Sequence, residues 1–450
     1  MNLYSDYDLL EGCLGALAGK DNADRKKAAL NIRWHMEAAA RELSLERFVD
    51  FESALYSTIV QYTHSEQLGE KLGGIMGIRE LIDCTSAAVE AKVAKFADTL
   101  SFALKVNTDF GLLQLIADAF GHMARYSPVS YIDYVESELN KSLEWINQGN
   151  APHRRFAGCA ILEQLAENAP TIFFVRTKEF FESIWDPLWD NKEQIRVAAA
   201  KAVRACLAVL NQRTYHLQYY YIMYDRVHDG LTKGTQESVH GSLLVVNEML
   251  KHTGEFMIPR FKEMCKAIIV LKDHKSKIVK AEIVQLLPAL AAKCPDAFAR
   301  SHLDEVVDIL MKTNKSVDLK SISLLAMGKL CLAVGSHLVG RVNELCDMVR
   351  DPFTHTKKNK HEVAPEIFQC VSDMVKGLGP SFHELALTLL EPMLSCGLTA
   401  SLIETLNVIC TYMPQYKFKV QVLTHSLLLT HLTHSLTHSF RNVCSRKLPR

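Results

Sequence analysis

The residues whose types could do chemistry are few and stand apart. Asp109-Phe110-Gly111 is the triplet with which phosphoryl-transfer enzymes hold magnesium. Neither a glycine-rich loop, nor a lysine-bearing strand, nor a catalytic loop accompanies it. His153-Arg154-Arg155 lacks the aspartate that such a loop needs, and no P-loop pattern occurs. The triplet is therefore expected to be a turn ahead of a helix. Four histidines, His425, His431, His434 and His438, include a pair one helical turn apart. They have no acidic or cysteine partner and belong to a simple sequence repeat, so no metal site is expected. A carboxylate pair or nucleophile triad would need side chains that converge on one pocket. None can be named, and no cofactor is expected.

Two clusters could serve recognition instead. The segment Arg213 to Glu237 is rich in tyrosine, with Tyr219, Tyr220 and Tyr224 at its centre. Aromatic side chains concentrate at protein interfaces, and the competing reading is core packing where one unit runs long. The stretch Asp351 to Glu362 is polar and basic, with Lys357, Lys358, Lys360 and His361. It is expected as a solvated loop, with a site for an acidic partner as the alternative. These six residues, Tyr219, Tyr220, Tyr224, Lys357, Lys358 and Lys360, are the candidate partner surface.

Behind them must stand a framework, and composition limits what it can be. The chain has 450 residues, more than one hydrophobic core of roughly 250–300 residues can serve. Lys plus Arg (51) equals Asp plus Glu (51), and this balance argues against a nucleic-acid binder or a polybasic membrane-surface protein. No apolar run of ~18 residues exists, so no transmembrane segment is expected. The start of the sequence is acidic, which predicts no secretory leader. Twelve cysteines fall singly, without a Cys-x-x-Cys pair. They read as reduced core residues of a cytoplasmic protein, with nuclear or endomembrane-peripheral placement also compatible.

Internal repetition supplies the framework. A helix with small and aliphatic residues at helical spacing recurs, and one equivalent position per copy gives Leu81, Met123, Leu165, Cys206, Leu250, Leu290, Leu330 and Met374. Successive positions lie 40 to 44 residues apart. That period fits HEAT or armadillo units of about 40–47 residues and excludes tetratricopeptide units of about 34. A second amphipathic helix precedes each copy, as in Leu45 to Tyr62, where Phe48, Phe51, Leu55, Ile59 and Tyr62 form one stripe. Phe173 to Trp185 and Leu303 to Met311 are read in the same way. The expected fold is all-α, a HEAT-type α-α superhelix of roughly nine or ten helical pairs over residues 1–421. Residues 422–450, dominated by Leu, Thr, His and Ser, read as a low-complexity tail, with a non-native extension as the alternative.

At these repeats the sequence resembles the amino-terminal HEAT region of the target-of-rapamycin (TOR) protein kinases. The resemblance is carried by Tyr134-Val135-Glu136 with Leu143-Glu144-Trp145, Arg154-Arg155-Phe156-Ala157 and Val203-Arg204-Ala205-Cys206-Leu207. It continues in His240-Gly241-Ser242-Leu243-Leu244, Thr253-Gly254-Glu255-Phe256-Met257, Gln285-Leu286-Leu287-Pro288 with Leu290-Ala291, and Leu390-Glu391-Pro392-Met393-Leu394. It runs in order from about Leu9 to Tyr416. It implies a scaffold region of a very large serine/threonine kinase whose catalytic domain lies elsewhere. The implied partners are Raptor-like companion subunits, a second TOR copy and a Rheb-like GTPase, within TOR-complex assembly and growth signalling. A generic HEAT adaptor, importin-like or phosphatase-scaffold-like, is the alternative. An enzyme acting alone is disfavoured by the missing kinase motifs.

Overall fold

The computed structural model of the protein describes residues 3–126, 128–148, 151–213, 217–355, 364–396 and 399–422. Among the described residues the regular elements are all helices. They form two compact units, Met1–Gly254 and Glu255–Arg450.

In the first unit α1 (Leu3–Leu17) and α2 (Asn22–Glu42) are followed by four pairs: α3 (Leu45–His64) with α4 (Leu68–Leu81), α5 (Val89–Val106) with α6 (Phe110–Tyr126), and α7 (Pro128–Gln148) with α8 (Pro152–Asn168), then three short helices with a long one. The short helices are α9 (Pro170–Val175), α10 (Thr177–Ser183) and α11 (Trp185–Leu188), and their partner is α12 (Glu193–Leu210). The unit ends with α13 (Leu217–Lys233) and α14 (Gln236–His252). The second helices α4, α6, α8, α12 and α14 each pack on the next in serial order.

The second unit repeats the plan. Its pairs are α15 (Phe261–Ile269) with α16 (Lys277–Lys293), α17 (Pro295–Asn314) with α18 (Lys320–Val334), α19 (Val342–His355) with α20 (Pro365–Leu378), and α21 (Pro380–Leu394) with α22 (Ala400–Tyr412). Here α16, α18, α20 and α22 pack in series. This is the HEAT-type α-α superhelical fold expected from the forty-residue period.

Local sequence explains where the helices start. Proline opens α7, α8, α9, α17, α20 and α21, at the position where its missing N–H costs nothing and its fixed φ suits the helix. Asp21, Thr235 and Thr399 accept the orphan N–H groups of α2, α14 and α22. The eight repeat-marking residues, from Leu81 to Met374, are all buried in the second helices.

Small residues allow the helices their close approach. A Cβ on Gly241 of α14 would run into the Leu188 carbonyl that ends α11, and one on Gly377 would strike the Cys331 carbonyl of α18.

Two expectations differ in detail. The segment Phe173 to Trp185 forms parts of three short helices instead of one. The backbone at Arg176 (φ −104°, ψ 14°) leaves the helical region, and Pro187 has no N–H to offer the Ser183 carbonyl. The segment expected as loop from Asp351 begins as helix, because α19 continues to His355. Phe353 anchors that last turn, buried against Phe368 with ring centroids 5.9 Å apart.

Candidate interaction surface

The tyrosine cluster lies on α13, and helical geometry divides it. Tyr220 is 2% exposed, and its hydroxyl donates to Asn211 Oδ1 at 2.6 Å. Asn211, which caps α12, in turn donates to the His252 carbonyl at the end of α14 (2.6 Å). One tyrosine thereby ties three helix ends together. Tyr224 is 8% exposed and stacks on His228 one turn further along. Tyr219 is half-buried, its ring stacked on Phe181 of α10 at 5.1 Å.

The outward side of α13 instead presents Leu217, Tyr221 and Ile222, all more than two-fifths exposed. This division follows from spacing: Tyr220, Tyr224, Val227 and Leu231 step by three or four and form the buried stripe. Tyr221 and Ile222 lie off that stripe. Lys357, Lys358 and Lys360 fall between α19 and α20, outside the described residues, as does the tail from residue 423.

The Asp109-Phe110-Gly111 triplet is a helix start. Asp109 Oδ1 accepts the Leu112 N–H at 2.8 Å, the geometry of an N-cap. Phe110 stacks face to face on Phe156 of α8, centroids 4.4 Å apart, with the Lys192 ammonium 5.5 Å from its ring centroid. The aspartate is used in capping its own helix and the ring in packing one repeat on the next.

Polar links of the same kind recur. Lys71 donates to Asn107 (2.8 Å), Arg155 to Asp190 (2.5 Å), Arg204 to Glu163 (2.6 Å) and Arg350 to Thr388 (2.7 Å). Each joins residues about one repeat apart in sequence, so each holds the register of neighbouring pairs. The partners of Arg155 and Lys71 lie in the turns before α12 and α6.

Several buried thiols are held in the protonated form by desolvation. Cys84 is pushed up to about 11, Cys265 and Cys370 to about 12. The thiolate is the nucleophile, so these cysteines act as apolar packing. Among the described residues no cluster of three or more His, Cys, Asp or Glu side chains could hold a metal ion. Nor is any described helix long and apolar enough to cross a membrane.

Serial helix pairs of this length, with register-setting links between them, define the chain as a HEAT-type solenoid. Solved structures agree: the karyopherin Kap121p bound to Nup53p aligns with TM-score 0.53 at 11% identity, covering 96% of this chain and 44% of the other. Kap121p bound to the SUMO protease Ulp1p gives 0.54 at 11% identity, covering 97% and 45%. At such identity the likeness is one of fold.

Sequence comparison is more specific. The chain is 33% identical over 390 residues to the serine/threonine-protein kinase TOR of Oryza sativa subsp. japonica, covering 86% of this chain and 16% of the kinase. To TOR of Arabidopsis thaliana it is 30% identical over 418 residues, covering 92% and 17%. To tor1 of Schizosaccharomyces pombe it is 26% identical over 444 residues, covering 96% and 19%. The resemblance to TOR kinases carried by the ordered motifs is thus borne out along nearly the whole chain. The chain spans less than a fifth of the length of these curated relatives. No protein-family model matches it.

Proposed function

We propose that this chain is a scaffold segment of a TOR-type kinase, which binds companion proteins and supports assembly of the TOR complex and growth signalling. The observation that carries the reading is the similarity to TOR kinases over 86% to 96% of the chain. A fold whose neighbours are crystallised with protein partners supports it. Raptor-like subunits, a second TOR copy and a Rheb-like GTPase are the proposed partners, in the cytoplasm, the nucleus or at endomembranes. The chain itself carries no catalytic step, which belongs to a kinase domain elsewhere in such a protein. The HEAT run is assigned to residues 1–421 and a low-complexity tail to residues 422–450. Proposed contact points are the flank of α13 at Tyr219, with Tyr220 and Tyr224 as its rigid base, and the lysines Lys357, Lys358 and Lys360.

The test is association. The purified chain is mixed with the remainder of a TOR kinase or with a Raptor-like subunit and followed by light scattering. Complex formation at micromolar concentration is expected, and its absence removes the scaffold reading. ATP turnover by the purified chain alone would remove the non-catalytic one.

A further inference from the structure

Two consecutive turns of the second unit repeat the same lysines. The stretch Leu271 to Lys280 carries Lys272, Lys275, Lys277 and Lys280 against one acid, Asp273. Met311 to Lys320 carries Lys312, Lys315 and Lys320 against Asp318. Three of the lysines recur at the same repeat position: Lys272 with Lys312, Lys275 with Lys315, and Lys280 with Lys320, each 40 residues apart. The first turn leads into α16, and the second joins α17 to α18.

Between the two turns lies a cleft of about 740 Å³. Lys272, Lys277, Lys280 and Lys312 line it, with Ile309 and Leu319 supplying apolar surface. The carboxylates around it already have partners. Glu305 pairs with Lys272 at 2.5 Å, Asp273 with Lys312 at 3.0 Å, Asp318 with Lys277, and Asp308 with Arg341 at 2.7 Å. Among the described residues Lys275, Lys280, Lys315 and Lys320 make no ion pair; Lys280 lines the cleft, and the other three lie on the same two turns. The charge in excess at this edge is therefore positive, although the chain as a whole is neutral.

We infer that this cleft is a docking groove for an acidic, carboxylate-rich segment of a partner protein. The pairs of Lys272, Lys277 and Lys312 are exposed on at least one side. Exposed pairs are worth about 0–1 kcal/mol, so an incoming carboxylate can take over these lysines while the uncommitted Lys280 on the cleft wall binds it directly. The shape selects a chain over a lipid surface. Lys280 is half-buried on the cleft wall, where a flat bilayer does not reach, whereas an extended peptide does. Geometry also sets a spacing. Neighbouring helices of such a stack lie about 8–10 Å apart, and three residues of a polyproline-II chain advance about 9 Å and return to the same face. Acidic side chains at every third residue match the two lysine rows. The proposal does not depend on which assembly the chain joins.

The experiment uses the full chain and a fluorescent peptide of Glu-Ser-Ser repeats, read by anisotropy. Saturable binding at micromolar protein is expected, and it weakens as salt rises because exposed charges are screened. The double variant K280E/K312E, which reverses one lining lysine from each turn, is expected to weaken it roughly tenfold or more, with the helical circular dichroism unchanged. K280Q/K312Q, which removes the charge and keeps a polar side chain, gives an intermediate loss. Absence of saturable binding overturns the proposal, as does binding that both double variants leave intact. Sedimentation of the chain with phosphatidylserine vesicles, without peptide binding, would assign the lysines to a membrane and overturn it equally.

Discussion

Arg196 of α12 donates its Nε–H to His240 Nδ1 of α14 at 2.9 Å, with both side chains almost wholly buried (4% and 3% exposed). The same guanidinium donates to the Asp190 carbonyl (2.6 Å) and the Asn191 carbonyl (3.2 Å). It thus fastens the turn before its own helix and the helix of the next repeat. Because Nδ1 accepts, the histidine carries its proton on Nε2 and is neutral. Burial, and then the neighbouring guanidinium, push its pKa down from 6.5 to about 4.

That shift predicts acid sensitivity. Between pH 6.5 and about 4 the unfolded chain binds a proton at His240 that the folded chain refuses, so stability falls as pH falls through this window. From pH 6.5 to about pH 5 the loss is about 2 kcal/mol. His240→Gln still offers an oxygen to Arg196 but has nothing to titrate. Urea unfolding at neutral and at mildly acidic pH is expected to show the step in the natural protein and to lack it in the variant.

A second buried cation predicts a larger mutational cost. Lys92 of α5 is buried and donates to the Ile82 carbonyl (2.9 Å) and the Cys84 carbonyl (2.7 Å), closing the end of α4. Desolvation lowers its pKa, opposed by Cys84 and Glu52. Lys92→Met keeps much of the stem volume and orphans both carbonyls. A loss of about 2–3 kcal/mol is expected in denaturant titration, since each buried unsatisfied group costs about 1–3 kcal/mol. A melting curve indistinguishable from the parent would show that water replaces the ammonium.

The period was readable because packing imposes it: one helix pair buries its apolar stripe on the next, so Leu81, Met123 and their equivalents return at near-constant spacing. The polar links were not readable. Arg196 and His240 are separated by 44 residues, and nothing local marks either as buried. The second break within Phe173 to Trp185 left one trace, Pro187, while the first, at Arg176, lies in backbone angles that composition does not fix. For the tyrosines, residue type suggested a surface, while helical spacing placed Tyr220 and Tyr224 inside and Tyr221 outside. Period outranked residue type there. The lysine cleft joins side chains from two repeats, and its members were visible singly but not as walls of one groove.

Two glycines give opposite predictions. In Gly241→Ala the new methyl would meet the Leu188 backbone carbonyl, which cannot rotate away. Helix α14 must move off α11, and a loss of about 2–3 kcal/mol is expected. Gly12 in α1 has nothing within 4 Å of its would-be Cβ. Gly12→Ala is expected to stabilise by up to about 1 kcal/mol through helix propensity alone. Parallel urea titrations of the two variants check both signs.

The final prediction separates the two sides of α13. Tyr220→Phe removes only the hydroxyl that Asn211 receives, and a loss of about 1 kcal/mol is expected. Tyr220→Ala also empties a fully enclosed site and should cost about 3–5 kcal/mol, as other large-to-small core changes do. Tyr221→Ala, with the ring 51% exposed, should stay within about 0.5 kcal/mol of the parent. If Tyr221→Ala leaves stability intact and weakens association with a Raptor-like subunit, the outward flank of α13 is a contact surface. Loss of stability in Tyr221→Ala comparable to that in Tyr220→Ala would show that both tyrosines are packing residues, because a ring that only meets a partner contributes nothing to the fold of the free chain.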